Sequence, residues 1–515
     1  MAEHAIPIAD PAGISLAPSS PTPKPSPWWR IADGAVFTAW LGVVLFTLQY
    51  HEKWADEAQA WLIARDLDLR SIWFHELRYE GSPGLWHTIL WIAQHVFQAK
   101  YGALGYIGVW GAAAGVAVLI FKAPFPRYVR WPLAFTYFMV YQYAVIARPY
   151  TVLPLLAFTA AIFFKDIHHP VRMTVVLILL ANLSLHGTIL AACLGLGYLI
   201  DAIKSWRTLD DQTKHRYAIC IAAMMLTFVF LFIILKPTPD IEEFAVKREI
   251  SHLSAAEQAQ FPGVVRKLTT IISGGFLDWI WPSVAFVLLT GTWCWMRRRA
   301  LIFALLVGPM IGLYGFVHGA AHHHGTAFLA LITALWIAWP ENAQKFEPSA
   351  RDGWIDKCMV ILLLSLCAVS TWDSAAIIHR EYLYPYSGAE DAAKYLKVNR
   401  ADHGPMFGFL FGVVGVQAYF DHNIFANIPT AYFHHGLPLD GTTLNIDNLR
   451  RIKPEYIVAY SQEPDLMLQS GIPSLVAEGY EVVHFSDGYY MYKRAVYERE
   501  VYFILRRTQA QQSLP

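Results

Sequence analysis

Residues 33–58 read DGAVFTAWLGVVLFTLQYHEKWADEA, an apolar run that ends shortly before two adjacent carboxylates, Asp56 and Glu57. The run over about 33–50 approaches the roughly 20 apolar residues that a helix needs to cross a bilayer. Acidic side chains near hydrocarbon are costly and commonly mark functional sites. The stretch therefore predicts a membrane span with an acidic pair at its far surface, where a carboxylate suits the activation of a hydroxyl.

The composition extends this prediction to most of the chain. Of the 515 residues, 55% are hydrophobic and only 16% are charged, and the mean hydropathy is +0.34. Soluble domains carry roughly 25% charged residues. The apolar residues also form long blocks separated by short basic loops, which is typical of a polytopic α-helical membrane protein. The net charge of zero gives no indication of a nucleic-acid partner.

The basic loops set a predicted topology, because Lys and Arg mark cytoplasmic loops. Their clusters are Lys122/Arg127/Arg130, Lys165/Arg172, Lys204/Arg207/Lys214/Arg216, Arg297–Arg299 and Lys345/Arg351/Lys357. With these clusters and the N-terminus in the cytoplasm, we expect about 11 spans and an outer C-terminus. The predicted spans are 33–50, 103–121, 132–147, 151–164, 173–187, 188–203, 217–235, 277–296, 300–317, 325–339 and 358–376.

The domain prediction follows from these spans. Residues 1–28 are rich in Pro, Ala and Ser and are interpreted as a disordered cytoplasmic tail. The membrane domain covers 29–377, with outer loops at 51–102 and 236–275, and we expect the second loop to cover a lipid cleft. The segment 85–99 is too short to cross a bilayer and is interpreted as a helix at the outer interface.

Residues 378–515 are predicted to form a small α/β domain outside the membrane, in the periplasm of a bacterial plasma-membrane protein. A capping box at Ser387–Glu390 predicts a helix that ends near Lys397. Runs with strand-like composition follow at Met406–Phe411, Tyr456–Tyr460, Glu481–Phe485 and Tyr489–Lys493. The chain contains no P-loop and no GxGxxG nucleotide motif. The absence of these nucleotide-binding motifs favours an enzyme whose activated donor is a lipid rather than a nucleotide.

Other polar residues at the outer surface are substrate-binding candidates. Arg148, in Arg148-Pro149-Tyr150, has no acidic neighbour in sequence, and a phosphate is the anion that a guanidinium holds with two parallel hydrogen bonds. Glu80 precedes the interfacial helix and is interpreted as a residue that binds a sugar hydroxyl. The alternative interpretation is a solvated acidic residue in a loop. The full set of substrate-binding candidates is Arg65, Glu80, Arg148, Tyr150, His186, His318, His322 and His323.

The histidines and cysteines also bear on metal binding. The cluster His322-His323-His324 could bind an ion, but no cysteine or carboxylate has ligand spacing near it. The cysteines Cys193, Cys220, Cys294, Cys358 and Cys367 all fall in apolar segments without CxxC spacing. We therefore predict no metal and no other cofactor, and keep a divalent ion as the alternative.

These motifs resemble those of the GT-C glycosyltransferase superfamily, which includes protein O-mannosyltransferases and lipid A aminoarabinose transferases. Asp56-Glu57-Ala58 is similar to the acidic motif that opens the first outer loop of such enzymes. Glu80 to Trp86 resembles the motif that begins their interfacial helix, with Pro83 in place of a proline pair, and Ala147-Arg148 resembles a later outer turn. The acid that often follows this arginine is absent from 149–158.

The resemblance implies a glycosyltransferase whose donor is a sugar on a polyprenyl phosphate held in membrane lipid. The acceptor would be a hydroxyl of a glycan, lipid or protein. Asp56 is then the predicted general base of an inverting displacement, and Glu57 is the second candidate because sequence cannot rank adjacent carboxylates. Arg148, with Arg65 or His186, would stabilise the departing phosphate. The alternatives are a transporter or flippase of a lipid-linked or anionic solute, and a metal-binding assembly factor.

Overall fold

The computed structural model describes residues 27–239, 262–316, 323–340, 350–434 and 446–508. The predicted tail at 1–28 lies almost wholly outside these ranges, as does most of the second outer loop. Sixteen α-helices precede the C-terminal region within the described residues. They are α1 Pro27–Leu48, α2 Ala55–Asp66, α3 Leu69–Ser71, α4 Leu77–Glu80, α5 Leu85–His95, α6 Leu104–Lys122, α7 Arg127–Ala134, α8 Leu153–Phe163, α9 Pro170–Ala181, α10 Leu185–Lys204, α11 Asp211–Leu235, α12 Pro262–Gly275, α13 Ile280–Met296, α14 Ala300–Phe316, α15 His324–Ala338 and α16 Ala350–Leu383.

Several of these helices are suited to a membrane. Within the described ranges, five helices are long and apolar enough to cross one, namely α1, α6, α10, α11 and α16. The pair α12 and α13, bent by 75°, adds a sixth crossing if it is taken as one span. Helices α9, α14 and α15 are apolar but shorter. The polytopic class is confirmed, whereas the count of about 11 spans stays a prediction.

The predicted span 132–147 is not one continuous helix. Helix α7 contains Pro132 and ends at Ala134, a single π-helical turn covers Phe138–Gln142, and the chain is irregular from there to Arg148. Every residue from 136 to 147 is buried. Irregular backbone is tolerated at membrane depth only where protein surrounds it. Hydropathy cannot distinguish such a segment from a lipid-facing helix, since both are apolar.

Close packing of α6 fixes the position of the chain that follows this segment. A side chain at Gly115 would lie 2.9 Å from the backbone nitrogen of Leu155, so only glycine allows α6 and α8 to approach this closely. Gly108 lies against Ala147 in the same way, one residue before Arg148. The small residues of α6 therefore hold the 147–155 turn against this helix.

Charged pairs at one end of the helical region join the predicted cytoplasmic loops. Arg127 and Arg130 both contact Asp33 at 3.3 Å. Arg299 contacts Asp201, and Arg297 contacts Asp356. The two groups are joined by Trp339, whose ring packs against both Phe125 and Trp293. Four of the basic segments therefore lie at one end of the helices, as predicted. Which side of the membrane this end faces stays a prediction.

The C-terminal region contains a mixed four-stranded sheet and short helices. Helix α16 continues past the predicted domain boundary at residue 377. The region's helices are α17 Ala389–Val398, α18 Val413–Gln417, α19 Ile446–Ile452, α20 Pro464–Leu466 and α21 Ile472–Ala477, and its strands are β1 Met406–Phe409, β2 Tyr456–Ser461, β3 Tyr480–Tyr492 and β4 Ala495–Arg507. The strand order is β1-β2-β4-β3, with β1 and β2 parallel and the other pairs antiparallel.

This sheet confirms the predicted α/β class and corrects two details. The two runs predicted within 481–493 form the single strand β3, and the sequence prediction missed its partner β4. The predicted capping box is wrong, because α17 begins after Gly388 and its Glu390 contacts Lys394 and Tyr419 instead. Ser387 still accepts a hydrogen bond from the backbone of Ala389.

The β3–β4 hairpin docks the sheet onto the membrane helices. At its tip Lys493 and Arg494 contact Asp278, in the bend between α12 and α13, and they contact Asp373 of α16 at 3.4 and 2.8 Å. Tyr492 donates to the carbonyl oxygen of Gly274 at 3.1 Å. The C-terminal region is thus fixed to α12, to the bend before α13 and to α16.

Candidate active site

A cavity of about 510 Å³ opens at the end of the helices opposite the charge pairs of the basic segments. Five separate stretches of chain converge on it: the start of α2, the α4–α5 turn, the turn at 148–150, the start of α10, and the segment where α14 ends and α15 begins. Its lining residues are Asp56, Gln59, Ala60, Glu80, Gly81, Ser82, Trp86, His87, Arg148, Pro149, Tyr150, Ser184, Leu185, His186, Leu313, Tyr314 and His323.

An ion pair between Asp56 and Arg148 forms part of the cavity wall. Arg148 Nη1 lies 2.9 Å from Asp56 Oδ2, and about a fifth of each side chain is exposed. The guanidinium lies 5.7 Å from the ring centroids of both Trp54 and Tyr150. The acidic partner that Arg148 lacks in sequence is therefore supplied by the first turn of α2. The arrangement places a carboxylate and a cation beside each other at the cavity surface.

Glu57, the neighbour of Asp56, has no access to the cavity. It is completely buried, and its Oε1 accepts a 2.7 Å hydrogen bond from the backbone of Ala147. Its Oε2 lies 3.1 Å from His51 Nε2 and accepts from the backbone of Trp54. Burial alone would raise the pKa of Glu57, but the charge of His51 and these hydrogen bonds lower it.

His51 links this carboxylate to a second one at the end of α16. Its Nδ1 lies 2.5 Å from Glu381 Oε1, and Tyr141 donates to Glu381 Oε2 at 2.8 Å. Burial would lower the pKa of His51, but Glu57 and Glu381 raise it to about 10. His51 is therefore an imidazolium between two carboxylates. The resulting buried cluster, defined as His51, Glu57 and Glu381, holds the backbone just before Arg148.

An aromatic group forms another part of the wall. Tyr150 and His186 are joined by a 3.2 Å hydrogen bond between the hydroxyl and Nδ1. The His186 ring lies 5.4 Å from Tyr314 and 4.9 Å from His323, centroid to centroid. Ser184 caps α10 by accepting from the backbone of Gly187, which fixes His186 in the first helical turn. These rings offer flat faces together with polar edges.

Glu80 reaches the cavity at the end of α4. Gln59 donates to Glu80 Oε1 at 2.9 Å, and its amide also bonds both backbone groups of Phe433 in the C-terminal region. The chain then reverses at Gly81, whose φ of +59° lies in the left-handed region that favours glycine. This turn leads to the start of α5, where Trp86 and His87 also line the cavity.

The structure brings together six of the predicted site residues, namely Asp56, Glu80, Arg148, Tyr150, His186 and His323. Glu57 lies behind the wall, and Arg65 points away, pairing with Asp66 and donating to the carbonyl oxygen of Phe420. His318 and His322 lie outside the described residues. Sequence reasoning missed Gln59, Trp86, His87, Ser184 and Tyr314. Trp86 is the last residue of the motif Glu80 to Trp86 quoted in the sequence analysis, and His87 follows it directly.

No metal cluster is found in the part of the chain that the structure describes. Within those ranges, no group of three or more His, Cys, Asp or Glu side chains has an arrangement that could hold an ion. The predicted lack of a metal remains a prediction, because His318 and His322 lie outside the described residues.

Comparison with known proteins identifies the fold. No protein-family profile and no curated protein sequence matches the chain. The structure is similar to the crystal structure of ArnT from Cupriavidus metallidurans bound to undecaprenyl phosphate, with a TM-score of 0.51 and 13% identity over 92% of this chain and 98% of ArnT. The apo form of ArnT gives a TM-score of 0.46 over the same coverage. ArnT, a lipid A aminoarabinose transferase, has the GT-C fold, and the similarity confirms that fold for this chain.

Proposed function

We propose that this protein transfers a sugar from a polyprenyl phosphate to a hydroxyl acceptor at the outer face of a bacterial plasma membrane. The observation that carries the proposal is the Asp56–Arg148 pair in the wall of a polar cavity at the end of apolar helices. A base and a cation side by side are what such a transfer needs. The binding of undecaprenyl phosphate by ArnT, which has the same fold, supports the lipid carrier.

Asp56 acts as the general base. Its carboxylate accepts the proton of the acceptor hydroxyl while that oxygen bonds the anomeric carbon. The bond from the anomeric carbon to the phosphate oxygen breaks, and polyprenyl phosphate leaves with the electron pair. A single displacement of this kind inverts the anomeric centre. Glu57 is fully engaged behind the wall, and we therefore assign it a positioning role.

Arg148 connects the two halves of this reaction. In the ligand-free protein its guanidinium contacts Asp56. The phosphate of the polyprenyl-phosphate sugar competes with Asp56 for the N–H groups of this guanidinium. Transfer of the guanidinium from Asp56 toward the phosphate would leave the base available to the acceptor. During the reaction Arg148 then stabilises the charge on the departing phosphate, as a fixed cation does well in a poorly hydrated site.

The remaining lining residues position the substrates. We assign the Tyr150, His186 and His323 group to the donor, where stacked rings and a hydrogen-bonded imidazole suit a phosphate-linked sugar. Glu80, oriented by Gln59, is assigned to a sugar hydroxyl. Gln59 lines the cavity and also bonds Phe433, so the C-terminal region packs beside the cavity, and we assign it to binding of the acceptor.

A transfer assay in detergent tests the proposal. Purified protein would receive a panel of radiolabelled undecaprenyl-phosphate sugars, with hydroxyl acceptors of the three classes, and release of undecaprenyl phosphate would be followed. We expect turnover by the wild type and a loss of 10²- to 10⁴-fold in Asp56→Asn, the range for removal of a general base.

Asp66→Asn is the matched control for this assay. Asp66 lies on the same helix, but it pairs with Arg65 outside the cavity lining. Its variant should keep full turnover. Normal turnover by Asp56→Asn would contradict the assignment of the base. Activity that needs a transmembrane gradient, and is absent in detergent, would favour the transporter alternative.

A further inference from the structure

One wall of the cavity carries polar groups that the proposed reaction does not yet use. Trp86 and His87 are adjacent in the first turn of α5, and both line the cavity. Their exposed fractions are 1% and 3%. Among the described residues, neither ring nitrogen of His87 nor the indole nitrogen of Trp86 has a hydrogen-bond partner. Buried polar groups without partners cost free energy and are uncommon in native proteins.

The surrounding structure holds the start of α5, which carries these two side chains, in place. Trp73 donates to Thr88 Oγ1 at 3.0 Å, and Thr88 Oγ1 in turn bonds the carbonyl oxygen of Gly84. The backbone nitrogen of Leu85 donates to the carbonyl oxygen of Asn182, which lies just before α10. Helix α5 is thus anchored on both sides of Trp86 and His87. The backbone of the helix is therefore fixed. The three nitrogens have almost no accessible surface, so they reach a ligand in the cavity only when the Trp86 and His87 side chains turn toward it.

The hydrogen-bonding character of this wall indicates what it would bind. Burial lowers the pKa of His87, opposed in part by the charge of Glu80, so the ring is neutral and offers one donor and one acceptor. Trp86 offers a donor, and the Glu80 carboxylate offers acceptors. A phosphate mainly accepts hydrogen bonds and would meet the acceptor nitrogen of His87 and the negative charge of Glu80 unfavourably. Hydroxyl groups donate and accept, and they match all three.

We infer that His87, with Trp86 and Glu80, forms a subsite for the hydroxyl groups of a sugar, and that His87 determines which sugar the cavity accepts. This inference rests on the proposed function and adds a specificity residue to it. The sugar belongs either to the lipid-linked donor or to a glycan acceptor, since both present the same chemistry. An imidazole left unpaired by a ligand without the matching hydroxyl would discriminate against that ligand.

The test compares binding of undecaprenyl phosphate with binding of undecaprenyl-phosphate sugars to wild type, His87→Phe and His87→Gln. His87→Phe keeps a ring of similar size and removes both nitrogens, whereas His87→Gln keeps one donor and one acceptor. The control is His95→Phe, an exposed histidine in the last turn of the same helix whose ring stacks on Trp91.

If the sugar is the donor's, His87→Phe should weaken binding of the sugar-bearing lipid about 5- to 10-fold, the effect of one lost hydrogen bond. Undecaprenyl phosphate should bind within twofold of wild type, and His87→Gln should recover part of the loss. If the sugar is the acceptor's, donor binding should stay unchanged and the acceptor KM should rise by the same factor. His95→Phe should change neither.

A readout on the wild-type protein guards against a variant that fails to fold. Wild type should prefer a hydroxylated sugar over its deoxy analogue at one ring position, and His87→Phe should lose that preference. The inference alone would be overturned by wild type that binds undecaprenyl phosphate but distinguishes sugars neither on the donor nor on the acceptor. It would also be overturned by His87→Phe that weakens binding of both lipids equally. Wild type that binds no undecaprenyl phosphate would overturn the proposed function as well.

Discussion

The adjacent residues Asp56 and Glu57 lie in two different surroundings. Asp56 belongs to the cavity wall, and Glu57 belongs to the buried cluster behind it. Asp56 has a partly exposed side chain and pairs with Arg148, whereas Glu57 is completely buried and pairs with His51. Successive residues of a helix point about 100° apart, so one carboxylate faces the cavity and the other faces the protein interior. The two surroundings predict different consequences for the same loss of charge: chemistry should suffer at Asp56 and folding at Glu57.

The largest expected effect on stability is that of Glu57→Gln. The change leaves the His51 imidazolium with a single carboxylate and puts an amide against the backbone nitrogens of Ala147 and Trp54. Breaking a buried ion pair from one side costs about 3–5 kcal/mol of unfolding free energy. Denaturant titration in detergent would measure it, with Asp56→Asn as the comparison, because a partly exposed pair contributes only about 0–1 kcal/mol. Equal losses of unfolding free energy in Glu57→Gln and Asp56→Asn would contradict the predicted difference between the two carboxylates.

The buried cluster also predicts a fall in stability at alkaline pH. The pKa of His51 is raised to about 10 in the folded protein, against about 6.5 in an unfolded chain. Between these values the folded state binds a proton that the unfolded state does not, so stability decreases as pH rises. The contribution is complete below about pH 6.5 and is lost as pH passes through about 10.

Thermal unfolding in detergent between pH 6 and pH 10 measures this effect. We expect the unfolding temperature of wild type to drop across the range and that of His51→Gln to change less. Glu57→Gln removes one of the two carboxylates that raise the pKa of His51, and its decline should therefore end at a lower pH. Parallel curves for wild type and His51→Gln would show that His51 is not the group responsible.

On the cavity side, Arg148→Lys tests the proposed contact with phosphate. Lysine keeps the positive charge but loses the planar fork that holds an anion with two hydrogen bonds. We expect undecaprenyl phosphate to bind about tenfold more weakly, the loss of about 1.4 kcal/mol, with little change in unfolding. Lys165→Arg, at the predicted cytoplasmic end, is the control and should leave binding unchanged. Unchanged binding in Arg148→Lys would remove Arg148 from the phosphate site.

The contrast also shows what the sequence could predict. The apolar blocks, the basic loops and the position of Asp56 follow from local composition, and the structure places six predicted residues around one cavity. The partner of Arg148 could not be predicted, because the ion pair to Asp56 joins loops far apart in sequence. For the same reason Gln59 was missed, since its amide acquires a role only through Phe433 in the C-terminal region.

Two errors of the sequence analysis concern buried structure that local patterns do not report. The segment 136–147 is as apolar as a span, yet its burial on all sides removes the need for a continuous helix. Strand β4 begins Ala495-Val496-Tyr497-Glu498-Arg499-Glu500, and these charges obscure its strand pattern. Glu500 is nevertheless completely buried and accepts from the backbone of Gly388. Pairing with β3, rather than composition, makes this segment a strand.

Arg65→Ala should have the smallest effect, because helix geometry removes Arg65 from the cavity. Nine residues separate it from Asp56, which is about two and a half turns and therefore the opposite face of α2. Its guanidinium contacts Asp66 at 2.6 Å and the carbonyl oxygen of Phe420 in the C-terminal region. We expect turnover and undecaprenyl-phosphate binding within twofold of wild type, and a loss of about 1 kcal/mol in unfolding free energy from the missing hydrogen bond. A tenfold loss of turnover at unchanged stability would instead return Arg65 to the substrate site, and would show that the two faces of this helix are not separated as the structure indicates.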